Sequence, residues 1–199
     1  MSSRQKMLKS FYPALTKITR FFGVNSKVKL PDTYVKAPAS IYDYSFEAID
    51  GSTIALKNFT GKKLVIVNTA SDCGYTAQYE ELQKLYAQEK DNIVIVGFPA
   101  NDFKQQEKGS NKDIEAFCKK NYGVEFPLAS KSVVVKGATQ HPVFQWLSNP
   151  TKNGWNQQDP VWNFSKYIID ENGNLIGYFD PGVSPLSKDF MTALHSTHS

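Results

Sequence analysis

The apolar positions of the chain fall into continuous runs and periodic ones. Residues 63 to 70 and 92 to 98 are short unbroken stretches rich in Val and Ile, the pattern of strands buried on both faces. Between them Tyr79, Leu82, Leu85 and Tyr86 recur at helical spacing, with Glu80 and Glu81 early in the segment, which predicts a helix over residues 76 to 89. A β-α-β run implies a parallel strand pair joined by a right-handed crossover. In such sheets ligands sit past the C-terminal ends of the strands, here near Cys73 and near residues 99 to 103.

Upstream, residues 41 to 49 and 53 to 56 flank Asp50-Gly51 and predict a hairpin. Downstream, Ser110 with Asp113 resembles a capping box, and Ile114, Phe117 and Cys118 share one face of the helix that follows, to about Asn121. The second cysteine is therefore expected to be buried. Residues 131 to 135 predict a short strand, 142 to 147 a short helix, 166 to 170 and 175 to 179 a second hairpin, and 186 to 195 a last helix. The class is α/β, with no internal repeat or low-complexity tract.

At the amino end Met7, Leu8, Phe11, Leu15, Ile18, Phe21 and Phe22 recur at spacings of three and four, with Lys6, Lys9, Lys17 and Arg20 mostly on the other side. This predicts an amphipathic helix, kinked or interrupted at Pro13. Residues 25 to 39, with Pro31 and Pro38, read as a linker. The chain thus divides into a basic extension and linker, 1 to 38, and one domain, 39 to 199. No apolar run in the extension suits a membrane span or a secretory signal. Three readings stand: a helix packed on the domain, a peripheral membrane contact through residues 4 to 22, or an organellar presequence. The default location is cytoplasmic.

Composition narrows the classes. With 199 residues, 41% hydrophobic and 21% charged, the chain suits one globular domain plus an appendage. The net charge is +4, yet residues 1 to 31 hold seven Lys or Arg and no acid, leaving 16 basic against 19 acidic residues, or −3, for the rest. A nucleic-acid-binding body would carry its basic surface on the fold itself, so no nucleic-acid partner is expected. Two cysteines without metal-ligand spacing argue against a disulfide scaffold and a zinc site. His141, His195 and His198 do not cluster in sequence around either cysteine. Asn163-Phe164-Ser165 matches a glycosylation sequon, read as chance because nothing else points to secretion.

Cys73 lies between the strand and the helix, with Gly74 available for the tight turn. A thiolate is the nucleophile, and a helix N-terminus favours it. Lowering a thiol pKa by roughly 2.5 units requires about 3.4 kcal/mol, more than the ~0.3–1 kcal/mol of a helix terminus, so directed donors are needed. The bland alternative is an inert packing cysteine. No Cys-x-x-Cys is present, since Thr76 stands where a dithiol oxidoreductase has its second thiol. Local sequence leaves both readings open.

Four segments then match one family in order and spacing: residues 68 to 79 around Cys73; residues 97 to 109, containing Pro99, Asn101, Phe103, Gln106, Glu107 and Gly109; residues 114 to 118 leading to Phe126-Pro127; and residues 162 to 166, with Trp162, Asn163, Phe164 and Lys166. The chain resembles the glutathione peroxidases, specifically their cysteine-containing, thioredoxin-linked branch, over about residues 40 to 190. The resemblance implies a thioredoxin-like fold, a central mixed sheet flanked by helices with an N-terminal hairpin. It implies a peroxidatic Cys73 assisted by Gln106, Trp162 and Asn163, whose amides and indole N–H are the missing donors. Without it, Gln106 reads as a solvated loop residue and Trp162 as core packing. Departures are Asp102 for a glutamine, Lys108 for a proline, Ala100 for a cysteine of many relatives, and Thr69 for a valine. A charge on Asp102 facing the sulfur would raise the Cys73 pKa. The short stretch between Leu147 and Trp162 matches monomeric relatives.

The implied chemistry is a thiol peroxidase reducing hydrogen peroxide and organic hydroperoxides. Cys73 becomes a sulfenic acid, Cys118 resolves it as a Cys73–Cys118 disulfide, and a thioredoxin-like reductant, or glutathione, restores the thiols. No metal or organic cofactor is required. A second reading, from a different class, is a peroxide sensor that relays oxidation to a client protein. Because every catalytic candidate follows residue 70, the extension is expected to be dispensable for the chemistry.

Overall fold

A computed structural model describes residues 1 to 21 and 24 to 197 of the chain. Phe22 and His198 lie outside the described residues. The elements are α1 (Ser3–Phe21), β1 (Val28–Lys29), β2 (Ser45–Glu47), β3 (Thr53–Ala55), β4 (Lys63–Thr69), α2 (Gln78–Glu89), β5 (Ile93–Pro99), α3 (Asn111–Tyr122), α4 (Pro142–Leu147), α5 (Pro150–Asn153), β6 (Lys166–Ile169), β7 (Leu175–Phe179) and α6 (Lys188–Leu194).

The main sheet has the order β1-β7-β6-β4-β5. β4 and β5 are parallel, with Val65 opposite Ile95, whereas β6 runs antiparallel to β4 and to β7. All seven residues of β4 and of β5 are buried, as their unbroken apolar runs require of strands covered on both sides. Alternation along β4 divides the core. Val65 and Val67 face Tyr79, Leu82 and Phe190, from α2 and α6, together with α3. Leu64 and Ile66 face Phe46, Phe144 and Trp146, from the β2–β3 hairpin and α4. The sheet is thus mixed and covered on both faces.

Three expectations need correction. Residues 131 to 135 form no strand: the Val134 N–H donates to the Asp102 carboxylate at 2.7 Å and the Ser132 N–H to the Pro99 carbonyl, so this backbone is bonded outside any ladder. The first hairpin is shorter than its apolar pattern, because Ile41–Asp43 and Leu56–Phe59 are 3-10 turns and only three residues remain in each strand. Residues 25 to 39 are not a free linker. Val28 and Lys29 pair with Phe179 and Tyr178 at the sheet edge, the Tyr34 hydroxyl donates to Asp170 at 2.7 Å, and the Ala37 N–H donates to Asn174 at 2.9 Å.

The helix α1 runs through Pro13 without interruption and is packed on the domain. Tyr12 is buried, its hydroxyl donating to Glu81 at 3.0 Å. Lys9 pairs with Glu80 at 2.8 Å and Arg4 with Asp72 at 2.7 Å. The Gln5 amide donates to the Ser71 carbonyl, and the amino terminus donates to Asn121 of α3. A Cβ on Gly74 would stand 2.9 Å from Leu15 Cδ2, so the absent side chain admits the helix. The extension therefore lies over both the Cys73 segment and α3. Among the described residues no helix is long and apolar enough to cross a membrane. His141 caps α4, and His195 Nε2 lies 3.2 Å from Glu89 Oε1.

Candidate active site

β4 ends at Thr69 and delivers the chain into turns that hold Cys73. The expected helix start at Thr76 falls instead at Gln78, because the Thr76 hydroxyl is engaged in the turn. It accepts from the Cys73 N–H at 2.9 Å and donates to the Ala70 carbonyl at 2.8 Å. This clasp orients the sulfur toward the Tyr75 N–H, which donates to it at 3.4 Å. Trp162 and Asn163 also favour its thiolate.

Those donors do not prevail at rest. Cys73 is 1% exposed, and burial raises its thiol above the ordinary range, Asp72 adding to the rise while the Tyr75 N–H, Trp162 and Asn163 oppose it. The resting thiolate expected from sequence is thus corrected: desolvation disfavours the charge by more than the directed donors recover. Asp102 plays no part, its carboxylate being turned to Val134.

Asn163 is fully buried, and its amide donates to Gln106 Oε1 at 2.9 Å. Gln106 thus joins the site through Asn163, and through its carbonyl, which accepts from the Asp72 N–H at 3.1 Å. Trp162 rests against Phe103 at a ring separation of 5.4 Å, with Lys104 Nζ 5.6 Å from its ring centre. Backbone strain flanks Gln106 and Asn163. Lys104 and Gln105, before Gln106, have φ of 51°, and Phe164, after Asn163, has φ of 69°. Such left-handed conformations cost on the order of 1–3 kcal/mol and persist where surroundings impose them. Phe164 is held by its burial and an edge-on contact with Tyr79.

Residues 41 to 148 match the family model described as Glutathione peroxidase. The chain is 44% identical over 147 residues to the glutathione peroxidase homolog BsaA of Bacillus subtilis (strain 168), covering 73% of this chain and 91% of that protein. The chain belongs to the glutathione peroxidase family. It is also 44% identical over 149 residues to the hydroperoxy fatty acid reductase gpx1 of Synechocystis sp. (strain ATCC 27184 / PCC 6803 / Kazusa), covering 71% of this chain and 86% of that one. The crystal structure of Trgpx in apo form superposes with a TM-score of 0.60 at 29% identity, over 80% of this chain and 98% of that chain. A DsbF homologue from Corynebacterium diphtheriae reaches 0.61 at 14% identity, over 84% of this chain and 90% of that one, a likeness of fold alone. The fold is thioredoxin-like and the protein is a thiol peroxidase.

Within this peroxidase Cys118 stands apart from the donor set. It lies on the inner face of α3 between Ile114 and Tyr122, fully buried, and both cysteines are free. Burial pushes its thiol up to about 12, with Tyr79 opposing and the Glu107 charge adding to the rise.

Several positioning residues lie in the matched segments but were given no role by the sequence. Asn68 joins the strand to the Trp162–Asn163 turn: its amide donates to the Trp162 carbonyl at 3.1 Å and its oxygen accepts from the Ser165 N–H at 3.1 Å. A lone amide inside an apolar strand was the available signal. Glu107 is 1% exposed, accepts from the Ser71 hydroxyl at 3.0 Å, and is raised to about 7 by burial. Lys166, buried and lowered to about 7, donates to Gln78 at the start of α2. Beside Gln106 a cavity of about 360 Å³ opens between Arg4, Asp72, Lys108, Ile114 and Phe117.

Proposed function

We propose that Cys73 is the peroxidatic residue and Cys118 the resolving one. The geometry that carries this is the Tyr75 N–H donating to the Cys73 sulfur at 3.4 Å, with Asn163 hydrogen-bonded to Gln106; Trp162 and Asn163 act on the same thiol by favouring its charged form. The Cys73 sulfur attacks one peroxide oxygen, the O–O bond breaks, and the thiol proton leaves with the departing alkoxide or hydroxide as alcohol or water. The product is a sulfenic acid. The Trp162 and Asn163 donors stabilise the charge that develops as the bond breaks.

Cys118 then attacks the sulfenic sulfur, expelling water and closing a Cys73–Cys118 disulfide. A thioredoxin-like dithiol reduces that bond by exchange and leaves oxidised itself. Residues 39 to 199 carry the reacting groups. The protein acts as a monomer in a reducing compartment, the cytoplasm, where its two thiols stay free.

Peroxide consumption by the purified protein, supplied with thioredoxin, its reductase and NADPH or separately with glutathione, tests the reading. Rapid turnover with thioredoxin and little with glutathione is expected. Turnover that survives Cys73→Ser removes the assignment.

A further inference from the structure

The inner side of α1 is engaged with the domain, and its outer side is not. Met7, Phe11 and Ile18 are 53%, 63% and 55% exposed. Their spacings of four and seven align them in one stripe along the helix. Lys6 and Lys17, also exposed, lie beside it, and no acidic residue occurs before residue 32. Large apolar side chains in solvent, on a helix that carries cations and no acid, form the pattern of a helix that lies in a membrane interface. Charge selects the occupant: two copies meeting through this face would set cations against cations, whereas anionic headgroups complement them.

We propose that the outer face of α1 docks on an anionic lipid bilayer, with Met7, Phe11 and Ile18 in the acyl boundary and Lys6 and Lys17 at the headgroups. The inner face of the same helix holds Asp72 through Arg4 and the Ser71 carbonyl through Gln5. Docking therefore holds the Cys73 turn behind α1, about 10 Å, one helix diameter, from the bilayer. The binding stands without the peroxidase reading; its use, presenting Cys73 to peroxides formed in lipid, rests on that reading.

The test is co-sedimentation of the full-length protein with vesicles of phosphatidylcholine alone or with about a quarter phosphatidylserine. Binding is expected to be at least fivefold tighter on the anionic vesicles and to weaken with salt. Phe11→Ser with Ile18→Ser should weaken it at least tenfold. Lys6→Gln with Lys17→Gln should weaken it roughly twentyfold on anionic vesicles, about fivefold per cation, and leave zwitterionic vesicles unaffected. Reduction of hydrogen peroxide in solution should match the parent in all variants, which verifies their folding and tests the peroxidase reading separately. Equal binding to both lipids, or parental binding by the serine variant, overturns the proposal. So does a parent dimer in size exclusion that the serine variant abolishes, which would give the face to a second copy.

Discussion

Cys73 and Cys118 are one side chain in two settings. Both sulfurs are buried and both thiols are raised by it. Around Cys73 the chain is turning, so a backbone N–H and two side-chain donors can aim at the sulfur. Around Cys118 the backbone is helical and its N–H groups are committed to the helix ladder, leaving Tyr79 alone to favour the thiolate. Burial is thus common to both sulfurs. Local backbone geometry separates them, because only an irregular segment has donors to spare.

The sharpest way to break this comparison is to remove each sulfur in turn and follow one oxidation. Cys73→Ser should abolish reaction with stoichiometric peroxide. Cys118→Ser should react at the parental rate, then lose thioredoxin-dependent turnover and over-oxidise at Cys73, since no resolving thiol remains. Mass analysis of the trapped products distinguishes the two, and turnover of Cys118→Ser with thioredoxin at the parental rate would make Cys118 a packing residue. If Cys118 resolves Cys73, its place on the buried face of α3 means that closing the disulfide should open that helix locally, which costs less than global unfolding. Amide exchange over residues 110 to 125 should therefore quicken markedly on oxidation and stay slow in oxidised Cys118→Ser.

A smaller effect separates the two thiols by pH. Glu107 raises Cys118 and is not among the groups that act on Cys73, so Glu107→Gln should increase alkylation of Cys118 and leave Cys73 unaltered. The same substitution tests stability. Glu107 is raised from 4.5 to about 7 in the folded protein, so the folded state binds its proton more tightly than the unfolded one. Its contribution is present below pH 4.5 and lost as the pH rises through 7. Glu107→Gln should gain stability over the parent between pH 5 and 8, by up to roughly 3 kcal/mol, less what the Ser71 bond loses when its acceptor becomes a neutral amide oxygen. Denaturant midpoints at the two pH values check this, and a gain equal at both removes the buried carboxylate as the cause.

The sheet was legible because strands buried on both faces leave continuous apolar runs, as in residues 64 to 67. The capping box at Ser110 was legible because it is a local bond. Residues 131 to 135 misled because their partners, the Asp102 side chain and the Pro99 carbonyl, are distant in sequence. The edge strand was missed because two residues carry no periodicity. Within the site, Cys73 could be placed from its position after a strand, whereas Gln106, Trp162 and Asn163 entered through resemblance alone. Asn68 and the strained turns gather them; Asn68 shows only as a lone amide in an apolar strand, and the strained turns leave no local pattern. The thiolate expectation failed for a related reason: how deeply a sulfur is covered is decided by tertiary packing.

The smallest expected effect belongs to the extension, which the sequence left outside the chemistry. Asp72 is the neighbouring charge that raises the Cys73 thiol, and Arg4 of α1 stands 2.7 Å from its carboxylate. Removing the guanidinium leaves that negative charge uncompensated beside a sulfur that must itself become negative. Arg4→Ala should therefore slow the first oxidation of Cys73. The Arg4 side chain is 62% exposed, so water and salt screen the pair, and exposed pairs are worth at most about 1 kcal/mol. A two- to fivefold slowing at low salt is expected, vanishing at high salt. Asp72→Asn should act in the opposite direction, and in that background Arg4→Ala should have no further effect, since the charge it balanced is gone. Single-turnover rates for the four proteins close the cycle. A slowing that persists in the Asp72→Asn background would show that Arg4 acts by holding the helix in place, not through the charge beside the sulfur.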